Sequence, residues 1–97
     1  MSELSVLREK IESLVREEQW HQIAAMDEIV RDVVGKALES VTDESREAVR
    51  AQLNDIQQFY ATAVARMQSR QGESAQELSS MQKSYRAAKS YLDSSKL

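Results

Sequence analysis

One histidine, 16 carboxylates and no cysteine bound the chemistry open to this chain of 97 residues. His21 stands three residues after Glu18. That Glu-x-x-His spacing puts both side chains on one helical face and, used twice, holds a pair of metal ions inside a helical bundle. Here it occurs once. With a single histidine and no thiol there is no His/Cys cluster for zinc. No serine lies in a nucleophile elbow, and no glycine-rich loop could cradle a phosphate. Glu9, Glu12, Asp27, Glu28 and Asp32 follow the solvated sides of helical stripes. They read as solubilising charges, and His21 beside Trp20 reads as a surface residue at a helix start. The expectation is a protein with no catalytic residue, no cofactor and no metal: not an enzyme.

The elements that carry these residues are all helical. Proline is absent, and Gly35 and Gly72 are the only glycines, so turn-forming residues are scarce. Hydrophobic residues at 41% and charged residues at 30% suit amphipathic helices rather than a disordered chain. The net charge is −3 and the basic residues form no block, which argues against a nucleic-acid partner. No apolar run approaches a membrane span, and the start Met1-Ser2-Glu3-Leu4 lacks the features of a secretory signal. Without cysteine there is no disulfide, and cytoplasmic localisation is the default expectation.

Periodicity divides the chain into three helices in one domain, 1–97. Leu4, Leu7, Ile11 and Leu14 mark helix 1, about 3–17. Ser2 is placed to cap it, and Glu12 and Arg16 are spaced for an ion pair. Trp20, Ile23, Met26, Val30, Val33, Ala37 and Val41 mark helix 2, about 19–41, with Ile29, Val34 and Leu38 widening its stripe. From Leu14 to Ile23 the phase advances by about 900°, which places the two stripes on opposite faces of a straight helix. A turn or a sharp kink within Arg16 to Trp20 resolves the conflict, the alternative being a continuous helix whose two halves touch different partners. Trp20 reads as the plug of the bundle end, with a binding anchor as its other use. Thr42 or Asp43 caps helix 3, about 43–94. Its stripe runs Val49, Leu53, Ile56, Tyr60, Val64, Met67, Gln71, Ser74, Leu78, Met81, Tyr85, Ala88, Leu92. The rhythm of threes and fours persists across Gly72, so the pattern predicts one continuous helix that tolerates a cost of about 1 kcal/mol there. The predicted fold is all-α: an elongated antiparallel bundle of three helices, the third long and heptad-patterned.

A third helix of that length reaches about 75 Å, against about 35 Å for helix 2. Its stripe beyond Met67 then lacks cover. Leu78, Met81, Tyr85, Ala88 and Leu92 become an exposed apolar strip, the mark of an interaction site. Two uses remain open. An amphipathic helix of a client could lie in it, or two copies of the chain could close it as a homodimer.

Two segments also resemble a known family. They are Glu17-Glu18-Gln19-Trp20-His21-Gln22-Ile23 with the following Met26-Asp27-Glu28, and Gln82-Lys83-Ser84-Tyr85-Arg86-Ala87-Ala88-Lys89-Ser90-Tyr91-Leu92. Together they look like the FliT-type flagellar export chaperones, in order and spacing over most of the chain. The resemblance implies a non-enzymatic helical protein of the cytoplasm. It implies binding to the C-terminal segment of the filament-cap protein, which blocks premature assembly, and delivery to the export gate and ATPase. Some members add a client-masking C-terminal helix. This chain runs only to Leu97, which puts that helix and the regulatory partners depending on it in doubt. The alternative is a homodimeric structural adaptor with no export role.

Overall fold

The structure, a computed structural model, describes residues 2–69 and 75–93. These residues form five helices and no strand: α1 (Glu3–Arg16), α2 (Trp20–Ala25), α3 (Asp27–Glu39), α4 (Arg46–Ser69) and α5 (Ala75–Leu92). The chain is all-helical as expected, but it is not a three-helix bundle.

Local sequence sets each boundary. The Ser2 hydroxyl accepts the Ser5 N–H at 3.1 Å, capping α1, and Glu3 lies in its first turn against the positive end of the helix. Arg16 pairs with Glu12 at 3.4 Å. The far end closes without glycine. The Glu18 N–H donates to the Val15 carbonyl at 3.1 Å, and the Gln19 N–H to the Leu14 carbonyl at 2.9 Å. Glu18 takes a φ of 58°. This is the Schellman pattern, which asks for a left-handed residue just past the last turn. It places the turn within Arg16 to Trp20, and the chain reverses there: the start of α1 lies beside the end of α3, with Ser2, Glu3 and Leu4 lining one pocket with Val33, Lys36, Ala37 and Ser40.

Helix 2 of the sequence reading is interrupted at Met26, which closes α2 and opens α3. Thr42, expected to cap the next helix, instead closes a turn with Ser45 just before α4 opens at Arg46. The Thr42 N–H donates to Ser45 Oγ at 2.9 Å, and the Ser45 N–H donates to Thr42 Oγ1 at 3.2 Å.

The long third helix is the main correction. Its reading through Gly72, with Gln71 and Ser74 at stripe positions, falls on 70–74, outside the described residues. The described helices on either side do not form one straight rod, because α4 and α5 pack against each other. Leu92 and Asp93 share a surface pocket with Glu47, Arg50 and Asn54. A straight helix would put these groups about 60 Å apart. The Cα extents are 45 × 25 × 19 Å, so the elongated shape is also set aside.

The rods run up-down-up-down. Polar bonds between α1 and α4 advance in the same direction along both: Gln52 Nε2 to Ser5 Oγ at 2.6 Å, Arg8 Nε to Asp55 Oδ2 at 2.8 Å, and Arg66 to the Val15 carbonyl at 3.4 Å. α1 and α4 are therefore parallel. α2–α3 runs antiparallel to α1, and α5 runs antiparallel to α4. The core draws Leu4, Leu7, Ile11, Leu14 and Val15 from α1, and Trp20, Ile23, Val30 and Val34 from α2–α3. From α4 and α5 it takes Leu53, Ile56, Tyr60, Ala63, Met67, Met81 and Ala88.

Gly35 lies inside α3, and a Cβ built on it meets nothing within 4 Å. No close helix approach requires it. Gly35→Ala is expected to stabilise the protein by about 0.5–1 kcal/mol, read as a higher urea midpoint at unchanged slope. A loss of stability would mean that the position has a packing role.

Candidate partner-binding surfaces

The strip expected to bind a client does not face solvent. Met81 is 0% and Ala88 4% exposed, and both belong to the core. Leu78, Tyr85 and Leu92 are half-buried and pack on it. The same three–four spacing that suggested an exposed face is the spacing by which α5 buries itself. The α4 stripe Leu53, Ile56, Tyr60, Ala63, Met67 supplies the surface it meets.

Trp20 is 4% exposed at the α1–α2 turn, which agrees with its reading as the plug of the bundle end. His21 is exposed, and its Nδ1 lies 3.1 Å from Glu77 Oε1, so it ties α2 to the first turn of α5. Asp27 accepts the Ser84 hydroxyl at 3.0 Å and pairs with Arg31 at 3.1 Å. The His21–Glu77 and Ser84–Asp27 bonds hold the α2–α3 rod to α5. Among the described residues, no group of three or more His, Cys, Asp or Glu side chains could hold a metal ion. No helix among them is long and apolar enough to cross a membrane.

The exposed apolar surface lies elsewhere. Val6 is 54% and Ile29 55% exposed, the two large hydrophobic residues left most open to solvent among those described. They flank one groove between α1 and α3, about 410 Å³ in volume and lined by Glu3, Val6, Leu7, Lys10, Met26, Ile29 and Val33. Its floor is apolar and its charges sit on the rim. Past the Glu3 end, Lys36 is held by Asp32 at 3.2 Å. That hydrogen bond is the main reason its ammonium lies above the ordinary lysine value.

The sequence reading passed over Val6 and counted Ile29 with the buried stripe. A signal was present. On α1 the core residues cluster on one side, and Glu3, Val6, Lys10 and Ser13 form a second line about 110° away. On α3 the apolar positions span more than the roughly 100° arc that one packed face needs. Their excess is the groove wall.

Compared with known proteins, the chain matches no family model, no curated protein and no solved structure at a significant level. The fold defines the class alone: an all-helical bundle of up-down-up-down topology.

Proposed function

We propose that this protein is a non-enzymatic chaperone or adaptor of the flagellar export type, acting in the cytoplasm. It receives an amphipathic helix from the C-terminal segment of a filament-cap client and keeps that helix from assembling early. Export-gate and ATPase components are the partners to which it would deliver the client. The resemblance of the Glu17–Ile23 and Gln82–Leu92 segments motivates this reading.

One observation carries the binding part of the proposal: the apolar groove between α1 and α3, walled by the exposed Val6 and Ile29. Two helices with an open apolar channel between them form the surface into which an amphipathic helix lays its apolar face. The buried α5 strip does not serve unless α5 leaves α4. The client site therefore moves from Leu78, Met81, Tyr85, Ala88 and Leu92 to Val6, Met26, Ile29 and Val33.

The test is a titration of labelled filament-cap C-terminal peptide with the full chain, followed by fluorescence anisotropy. Ile29→Glu is expected to weaken binding about 100-fold or more. It would bury an unpaired carboxylate on complex formation, at a cost of several kcal/mol. Because Ile29 is exposed, helicity and the unfolding midpoint should stay near those of the parent. A peptide that fails to bind the parent chain, or that binds the variant equally well, rejects the proposal.

A further inference from the structure

Beyond the client, we infer that a second copy of this chain occupies the α1–α3 groove, in a two-fold pairing that lays α1 on α1 and α3 on α3, antiparallel.

The residues of the groove carry a self-complementary pattern. A closed two-fold interface needs one patch that fits itself, so that residue i meets j and j meets i. Along the α1 rim the order is Glu3, Val6, Leu7, Lys10. Opposite charges stand seven residues apart with apolar groups between. Place the two-fold axis midway between Val6 and Leu7, perpendicular to the helices. Glu3 of each copy then lies opposite Lys10 of the other, and the Val6 side chains meet at the centre. The α3 side obeys the same axis. Met26 and Val33 flank Ile29 at the two ends of the groove, and each would face the other across the pair. The apolar residues meet apolar residues, and no like charges meet on the rim that lines the groove.

The charges are also exposed, although Glu3 already attracts the Lys36 ammonium. The ion pairs on α1 join Arg8, Glu12, Arg16 and Asp55. Those on α3 join Asp27 to Arg31 and Asp32 to Lys36. Glu3 and Lys10 take part in none of them, and both are exposed. Rim charges of this kind add little affinity, but they fix register and suppress wrong pairings. The apolar floor would hold the pair together, and the result is a four-helix contact of two α1–α3 hairpins. This pairing follows from the residues of the groove and does not depend on the client proposal. If both hold, the second copy and the client compete for one surface.

Light scattering and sedimentation equilibrium of the full chain alone, across a concentration series, test the pairing. The expected result is a concentration-dependent shift from one to two chain masses. Lys10→Glu sets Glu against Glu at both rim positions and should weaken the pairing about tenfold or more. Glu3→Lys combined with Lys10→Glu should restore it, and Ile29→Glu should abolish it, each with helicity unchanged by circular dichroism. A monomer at every concentration overturns the inference, as does a dimer indifferent to Ile29→Glu. Failure of the double swap to restore pairing overturns the α1-on-α1 register. Peptide binding separates this result from the client proposal. A parent chain that stays monomeric yet binds the peptide supports the client alone. A Lys10→Glu monomer that binds the peptide more tightly than the parent supports both occupants.

Discussion

Met81→Glu is expected to abolish the cooperative unfolding transition rather than to spare the fold and remove a binding function. Met81 is 0% exposed, in the face of α5 that joins the core. A carboxylate there would lose its hydration without gaining a partner, at a cost of several kcal/mol. It would also lose the apolar contacts of the methionine. A domain of this size has about 5–15 kcal/mol in total, so the variant stands at or below the threshold of folding. Two milder substitutions locate the cause. Met81→Ala should cost about 2–5 kcal/mol, and Met81→Leu, which nearly conserves volume, less than about 1.5 kcal/mol. Urea unfolding followed by circular dichroism reads all three. If Met81→Glu kept the midpoint and slope of the parent, α5 would be detached from α4 in solution, and the exposed strip expected from the sequence would be restored.

Tyr60 is the second site where a large effect is expected. Its ring is 1% exposed on α4, among the apolar residues that face α3 and α5, and its hydroxyl has no hydrogen-bond partner among the described residues. Tyr60→Ala should lose about 3–5 kcal/mol, the usual range for removing a buried aromatic ring. Tyr60→Phe keeps the ring and deletes only an unsatisfied polar group. It should be neutral or stabilising by up to about 2 kcal/mol. The opposite signs of the two variants make the prediction hard to satisfy by accident.

The same phenol gives an alkaline limit. Burial, the main cause, together with the nearby Asp27 carboxylate and then Tyr91, pushes its pKa well above the ordinary value of 10.0. In the unfolded chain Tyr60 ionises at about that ordinary value, whereas in the folded chain it stays protonated. The contribution is therefore fully present below about pH 10 and is lost as pH rises through the folded value, at up to about 1.4 kcal/mol per pH unit. Chemical denaturation from pH 9 to 11 should show this loss in the parent and a smaller one in Tyr60→Phe. An identical pH slope in both would assign the alkaline sensitivity to other groups.

The two halves of the long stripe show why periodicity misread the third helix. Leu53, Ile56, Tyr60 and Met67 lie in one phase, and Leu78, Met81, Tyr85, Ala88 and Leu92 continue it. A phase-preserving connection looks the same whether the helix runs on or folds back, because both give each half one apolar face. What differs is where those faces end up. Running on leaves the second half in water. Folding back lets each half cover the other, and each fully buried side chain then contributes about 1.5–3 kcal/mol. That gain exceeds the cost of ending one helix and starting another.

Helix 1, its Ser2 cap, the Glu12–Arg16 pair and the Thr42 boundary were legible in the sequence, as was a phase break between Arg16 and Trp20, though not whether that break is a hairpin or a kink. So were the all-helical class and most of the core. Each follows from interactions among residues within about four positions of one another, or from a 3.6-residue period that needs no partner to be seen. Tertiary structure alone decided that α5 returns along α4, that Met81 is core, and that Val6 and Ile29 stay open between α1 and α3. Those outcomes depend on which amphipathic face meets which. Several pairings of the same stripes bury similar apolar area, and only the packed bundle selects among them and shows which face is left without a partner.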